Sequence, residues 1–75
     1  MSNQIELMQK KAKFFLDNKK SVHVKFIKGF FKNGDIKDIS SDFFILDDFL
    51  EGEFPVFFLE IEEIEIYTAK QEIRT

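Results

Sequence analysis

The sequence predicts a mainly β fold in one small domain, with an N-terminal α-helix followed by a five-stranded, strongly bent antiparallel open barrel. Three observations predict it. The 75 residues fit one domain. The spacing of apolar residues changes from helical to a period of two at Ser21. Gly34 lies inside the second predicted strand, where a glycine commonly marks a bulge or the sharp bend that a small closing barrel requires.

The predicted helix covers about residues 3–18. Its apolar residues recur at helical spacing, at Ile5, Met8, Ala12, Phe15 and Leu16. Asn3, or the serine before it, can cap the N-terminus, and Glu6 stands three residues after Asn3 as in a capping box. Two lysines follow residue 18, where cations stabilise the C-terminal end of a helix.

The predicted barrel covers about residues 21–67. Its first strand begins at Ser21, and its second strand is Phe30–Ile39. Ser40–Asp42 is predicted to be a short turn. Phe43–Leu46 is apolar on both faces, which is typical of a central strand.

The second half of the barrel is predicted from the glycine and proline that interrupt its apolar runs. Asp47–Pro55, with its glycine and proline, is predicted to be a loop. Val56–Ile61 is the fourth predicted strand, Glu62–Glu63 a tight link, and Ile64–Tyr67 the fifth strand. The polar residues 68–75 are predicted to form a frayed tail.

The composition argues against several classes of function. The chain has no cysteine and one histidine, so we expect no disulfide and no metal site. We find no nucleophile, base and acid that could converge, and therefore expect neither an enzyme nor a cofactor. No apolar window is long enough for a membrane span, and the first residues do not resemble a signal peptide. The expected location is the cytoplasm.

Eleven phenylalanines are present, all between Phe14 and Phe58. This is more aromatic area than so small a core usually holds. Because aromatic residues are enriched in interface cores, part of the set is expected to face a partner subunit or a ligand. The alternative is a codon bias that enriches Lys, Phe, Ile and Asn together.

The charges are unevenly placed along the chain. Residues 1–37 hold nine lysines against three acids, whereas residues 38–75 hold one lysine and one arginine against eleven acids. Such asymmetry is typical of an anion-binding face. It is equally compatible with two solvated faces of opposite sign.

Three segments resemble a known family. Val22–Ile36 resembles the first Sm motif, with alternating apolar residues, then two glycines five positions apart (Gly29 and Gly34), then a polar and an apolar residue. Asp38–Asp48 resembles the third-strand segment, and Val56–Ile64 resembles the second Sm motif in its apolar positions only. Over about residues 3–67 the chain is thus similar to the Sm-like (Lsm/Hfq-type) family, as a divergent member.

The resemblance implies a non-enzymatic protein that forms a closed ring of roughly five to eight identical subunits and binds single-stranded RNA with weak sequence preference. It also implies that the fourth strand of one subunit pairs with the fifth strand of the next. The residues expected at that interface are Val56, Phe57, Phe58, Leu59, Ile64 and Ile66.

The family's uridine site is expected to be absent or altered. In the family it uses Asp and Asn in the third loop and a cation in the fifth. Here Ser40–Phe44 contains no Asn, and Phe57–Glu60 contains neither a cation nor a glycine. The RNA-binding residues expected instead are Lys10, Lys11, Lys19, Lys20, Ser41, Asp42 and Phe43. The lysines can equally be a solubilising helix surface, Phe43 a core residue, and Asp42 a turn residue.

Two other functions remain open. A ring that binds protein rather than RNA would explain the acidic second motif and the many phenylalanines. A Tudor- or SH3-type barrel that binds a peptide would need an exposed aromatic groove without ring closure. His23 is interpreted as a structural residue, and the carboxylates of the loop at 47–53 as solvated.

Overall fold

The computed structural model describes residues 3–68 of the chain. In chain order the elements are helix α1 (Asn3–Asp17), strands β1 (Ser21–Phe26), β2 (Phe31–Ile39), β3 (Phe43–Asp48) and β4 (Gly52–Phe57), a 3₁₀ turn (Phe58–Glu60) and strand β5 (Ile61–Ile66). The predicted fold class, a helix followed by a bent antiparallel sheet of five strands, is confirmed. The tail predicted at 68–75 lies outside the described residues, except for Thr68.

The sheet bends because β2 changes partner along its length. The strand order is β4-β3-β2-β1-β5, and all neighbours are antiparallel. The first half of β2 pairs with β1, its second half pairs with β3, and Gly34 is opposite both Val22 and Asp48. A Cβ atom built on Gly34 would lie 2.2 Å from the carbonyl oxygen of Asp47. The position therefore needs glycine for the close approach of β3.

A β-bulge lies three residues after Gly34. Ile36 is opposite Leu46 and Asp38 is opposite Ile45, so Lys37 is the extra residue. The bend predicted at Gly34 is thus divided between two positions, the crowded glycine and the bulge.

The prediction of a loop at Asp47–Pro55 is wrong. Strand β3 continues to Asp48, and β4 begins at Gly52 after a three-residue turn. The carboxylate of Asp48 accepts hydrogen bonds from the backbone N–H groups of Leu50 (3.0 Å) and Glu51 (2.9 Å), which closes the turn tightly. Proline is tolerated within β4 because β4 is an edge strand.

The predicted boundaries of the fourth and fifth strands are consequently wrong as well. The predicted link Glu62–Glu63 lies inside β5, and the 3₁₀ turn Phe58–Glu60 makes the connection instead. The N–H of Phe58 donates to the carbonyl of Asp42 (2.9 Å), and the carbonyl of Glu60 accepts from Ile27 (3.0 Å). Burial of both Phe58 and Ile61, three residues apart, matches the 3₁₀ period.

Helix α1 covers the sheet through Met8 and Ala12, which are fully buried. It contacts β2, β5 and the 3₁₀ turn. The helix ends in a Schellman arrangement, in which the N–H of Lys20 donates to the carbonyl of Phe15 (2.9 Å). Lys19 occupies the left-handed position of this motif, with φ of 56°. No helix in residues 3–68 combines the length and the apolarity that a membrane crossing requires.

Many aromatic side chains lie outside the core. Phe26, Phe44 and Phe58 are buried with the aliphatic residues of all five strands. Five others are among the exposed large apolar side chains: Phe14, Phe30, Phe31, Phe49 and Phe57. The sequence correctly indicated that the core cannot hold all the phenylalanines. That the exposed ones face a partner or ligand stays a prediction.

Candidate nucleic-acid interface

Five lysines line a groove between α1 and the second half of β2. It consists of two clefts that share Leu16 and are lined along β2 by residues 35–39. We call it the helix–β2 groove. Its cations come from both walls and from the connection between α1 and β1: Lys10, Lys13, Lys19, Lys20 and Lys37.

The bulge in β2 accounts for the place of Lys37. An extra residue in one strand breaks the alternation of side chains and re-aims the bulged residue. Lys37 is this residue, and it lines the groove opposite the helix. The Schellman arrangement does the same for Lys19, because its left-handed backbone turns the chain from the helix into β1.

Two carboxylates, Asp35 and Asp38, line the groove and accept hydrogen bonds, and a third, Asp17, is paired with a groove lysine. Asp35 accepts a hydrogen bond from the hydroxyl of Ser21 (2.5 Å), and Asp38 from the N–H of Ile39 (2.9 Å). Asp17 forms an exposed ion pair with Lys13 (3.3 Å). Within residues 3–68, four groove lysines have no ion pair: Lys10, Lys19, Lys20 and Lys37. The groove therefore presents unpaired ammonium groups to solvent.

Lys11, the remaining lysine of the predicted RNA-binding set, points elsewhere. Its ammonium forms a hydrogen-bonded ion pair with the carboxylate of Glu63 on β5. Both side chains are partly buried. Lys11 therefore ties the helix to the edge strand, and it does not line the groove.

The predicted third-loop residues Ser41, Asp42 and Phe43 do not line the helix–β2 groove. Ser41 and Asp42 are exposed, while Phe43 is half-buried at the start of β3. The ring of Phe43 packs on that of Phe57 across the β3–β4 pair, with centroids 5.2 Å apart. Phe43 thus belongs to an outer aromatic pair.

Asp42 faces an apolar cleft. The cleft is lined by Ile5, Asp42, Phe57 and Leu59, and its only polar side chain is the carboxylate. The 3₁₀ turn thus brings the third-loop and fifth-loop positions together. The side chains that line the cleft include no cation and no amide. That the family's uridine site is absent or altered stays a prediction.

The six residues predicted at the subunit interface divide into two groups. Val56, Phe58 and Ile64 are fully buried in the subunit's own core, so their side chains offer no surface to a neighbour. The others are exposed and lie at or beside the two edge strands: Phe57 (43 %), Leu59 (75 %) and Ile66 (47 %). Their contact with a second subunit stays a prediction.

Both edge strands have free backbone groups. The N–H of Tyr67 donates to Ser21 on β1, so alternation leaves the N–H of Ile66 on the free side of β5. The N–H of Phe58 donates to Asp42, so Phe57 and Pro55 face the free side of β4. Pro55 removes one donor from that edge, and the N–H of Phe57 remains.

His23 has structural partners. Its Nδ1 lies 2.5 Å from the amide oxygen of Asn33, and its ring packs on Phe31 with centroids 4.9 Å apart. Among residues 3–68, no group of three His, Cys, Asp or Glu side chains is placed to hold a metal ion.

Sequence reasoning missed part of the groove. The RNA-binding residues predicted from the sequence do not include Lys13 and Lys37, which line the groove. Nothing in the sequence around Lys37 indicates a bulge, because the bulge depends on how β2 pairs with β3. The helical position of Lys13, three residues after Lys10, was the available signal.

Comparison with known proteins identifies the fold. No family model matches the sequence, and no curated protein matches it. Among solved structures, a 1.55 Å crystal structure of the pleiotropic translational regulator Hfq matches with a TM-score of 0.70 at 20 % sequence identity. The match covers 80 % of this chain and 98 % of that chain. The chain therefore has the Sm-like fold of Hfq, as its sequence motifs predicted.

Proposed function

We propose that the protein is a ring-forming, non-enzymatic RNA-binding protein that holds single-stranded RNA by its backbone in the helix–β2 groove. The observation that carries the proposal is the convergence of five lysines on this groove, four of them unpaired within residues 3–68. The Sm-like fold, which it shares with a translational regulator, supports the same class of function.

The chemistry of the groove favours backbone contacts with weak sequence preference. Ammonium groups attract phosphates without reading bases, and this term dominates non-specific affinity. The cleft at Asp42 lacks the donors that would select a base. Phe43 and Phe57 can add stacking, which contributes roughly 1–3 kcal/mol per base and tolerates any base.

Ring formation would bring several copies of the groove together in one assembly. An open sheet with two free edges invites strand pairing, and a head-to-tail contact whose rotation closes gives a ring. We propose that β4 of one subunit pairs with β5 of the next, through Phe57 and Ile66. Each ring would then carry one basic groove per subunit, and several weak phosphate sites act together.

One observation favours the alternative, a ring that binds protein. The cleft formed by Ile5, Asp42, Phe57 and Leu59 is apolar with a single carboxylate. Such a lining suits an apolar side chain next to a cation better than it suits a base.

Salt-dependent binding tests the proposal. We expect labelled U-rich and A-rich single-stranded oligonucleotides to bind the protein at low ionic strength with similar affinity, measured by fluorescence anisotropy. Removing two groove charges in the double variant K10A/K37A should weaken binding at low salt and lower the slope of log affinity against log salt by about 1.4, since each phosphate contact contributes about 0.7 for single strands.

The matched control is K25A/K28A. Both residues are exposed and neither lines the groove, so the same change in net charge should leave the slope nearly unchanged. An equal loss of affinity in both double variants would assign the effect to net charge and contradict the groove. Absence of binding by the parent protein at low salt would favour the protein-binding alternative.

A further inference from the structure

One cleft of the helix–β2 groove places a single carboxylate among three lysines. The cations are Lys19, Lys20 and Lys37, and the carboxylate belongs to Asp35. We call this cleft, next to the C-terminal end of α1, the Asp35 cleft. Its volume of about 350 Å³ falls within the range, about 300–1,000 Å³, of clefts that bind small molecules. One nucleotide of a single strand can therefore enter it.

Asp35 is held at the wall of the cleft by a contact with β1. It lies opposite Ser21 in the β1–β2 pair, and the hydroxyl of Ser21 donates to its Oδ1 atom. Within residues 3–68 this carboxylate accepts no other hydrogen bond and forms no ion pair, although three lysines line the same cleft. The side chain is exposed, so its Oδ2 atom is open to a hydrogen-bond donor from a ligand.

The carboxylate of Asp35 would oppose a ligand that offers only phosphates. It repels the phosphates that the three lysines attract, which weakens binding of the backbone. An ionised carboxylate can only accept hydrogen bonds. A ligand offsets the repulsion when it brings a donor to Asp35, because hydrogen bonds to charged groups are among the stronger ones.

Single-stranded RNA carries such a donor next to every phosphate. The ribose 2′-hydroxyl can donate, every ribonucleotide has one, and DNA lacks it. The N–H groups of the bases also donate, but they differ from base to base. For a strand bound with weak sequence preference, the 2′-hydroxyl is the donor that each nucleotide brings. A carboxylate among ammonium groups therefore matches a ribose next to its phosphates.

Asp38, the other carboxylate of the groove, is less suited to this role. Its carboxylate already accepts from the N–H of the adjacent Ile39 (2.9 Å). Its cleft contains Lys10 and Lys13, and Lys13 is paired with Asp17. The cleft at Asp38 thus offers fewer unpaired cations to hold a phosphate beside the carboxylate.

We propose that Asp35 accepts a hydrogen bond from a ribose 2′-hydroxyl and so makes the helix–β2 groove select RNA over single-stranded DNA. Ser21 is the positioning residue, because its hydroxyl fixes Oδ1 and leaves Oδ2 for the ribose. The proposal rests on the proposed function, since the lysines of the groove must hold the phosphates of the strand.

Three strands of one U-rich sequence test the selection: RNA, a 2′-deoxy strand with the same uracil bases, and a 2′-O-methyl strand, which keeps the 2′ oxygen without its proton. Fluorescence anisotropy at low ionic strength gives the affinities. We expect the parent protein to bind the RNA about tenfold more tightly than either other strand, as one hydrogen bond to a charged group predicts.

Asp35→Ala removes both the acceptor and the negative charge. Binding of the deoxy strand should become tighter because the repulsion is gone, and the preference for RNA should disappear. Because Asp35 is exposed, the substitution leaves the core intact. Ser21→Ala should lower the preference for RNA, whereas Ser21→Thr, which keeps the hydroxyl, should retain it.

The matched control is Asp47→Ala. Asp47 lies opposite Asp35 on β3 and lines neither cleft of the groove. This variant loses the same charge, so the affinities for the three strands should shift together and their ratio should stay that of the parent. A loss of RNA preference equal to that of Asp35→Ala would assign the effect to net charge and overturn the proposal.

The remaining outcomes separate the two proposals. If the parent protein binds none of the strands at low salt, the proposed function fails and the role of Asp35 fails with it. If the parent binds all three strands equally, or if the preference for RNA survives Asp35→Ala, the role of Asp35 fails alone and backbone binding in the groove stands.

Discussion

At the residue scale, Lys19 and Gly34 have unusual backbone environments. Lys19 adopts φ of 56° at the end of α1, where glycine is the usual residue. Gly34 lies against the backbone of β3 with no room for a Cβ atom. One position thus bears strain in order to present a cation, and the other avoids strain by lacking a side chain.

Lys19→Gly is expected to stabilise the subunit and weaken RNA binding. Glycine removes the left-handed penalty, which is about 1 kcal/mol, so thermal unfolding should occur at a higher temperature. RNA affinity at low salt should fall because the groove loses one charge. Lys20→Gly is the matched control, since Lys20 has no positive φ. It should lower affinity similarly without the gain in stability, and an equal gain would contradict the strain at Lys19.

Gly34→Ala is expected to destabilise the subunit by about 3 kcal/mol, because its Cβ would meet the carbonyl oxygen of Asp47 and force β2 and β3 apart. Urea unfolding followed by circular dichroism measures the change. Gly29→Ala serves as comparison: its Cβ meets nothing within 4 Å, and only its φ of 103° opposes the substitution. If Gly29→Ala were the more damaging of the two, backbone conformation rather than crowding would dominate this hairpin.

At the scale of elements, the two edge strands would form the proposed contact between subunits. β5 has a free N–H at Ile66, and β4 has one at Phe57 but lacks one at Pro55. A proline on an edge strand limits uncontrolled pairing while a neighbouring donor can still bind a specific partner. The short β4 edge therefore favours one defined contact over extended sheet growth.

Ile66→Pro is expected to reduce the proposed ring to single subunits. It removes the outward N–H of β5 while the bonds from β5 to β1 remain, so far-ultraviolet circular dichroism should change little. Sedimentation gives the mass. Ile66→Ala keeps the N–H and removes the exposed side chain, so the pair of variants separates backbone pairing from side-chain contact. Rings that persist in Ile66→Pro would show that another surface joins the subunits.

At the scale of the whole molecule, the bent sheet separates surfaces of different chemistry. The helix–β2 groove lies between α1 and β2, while the turn between β3 and β4 hydrogen-bonds through Phe49 to Asn33 near the start of β2. The ion pairs Lys11–Glu63 and Lys32–Glu51 join the basic first half of the sequence to the acidic second half, so the fold brings part of the uneven charge together.

The sequence by itself determined the order of the helix and the five strands, the extent of α1 and the excess of aromatic residues, because these follow from local periodicity and composition. It also determined the fold class, through two glycines whose spacing reflects the hairpin and the bend. Only the tertiary structure decided where β4 begins, that Glu62 and Glu63 belong to β5, that Lys37 joins the groove and that Lys11 leaves it. These features depend on which backbone and side-chain groups meet across strands that are distant in sequence. The local sequence pattern does not predict such partners.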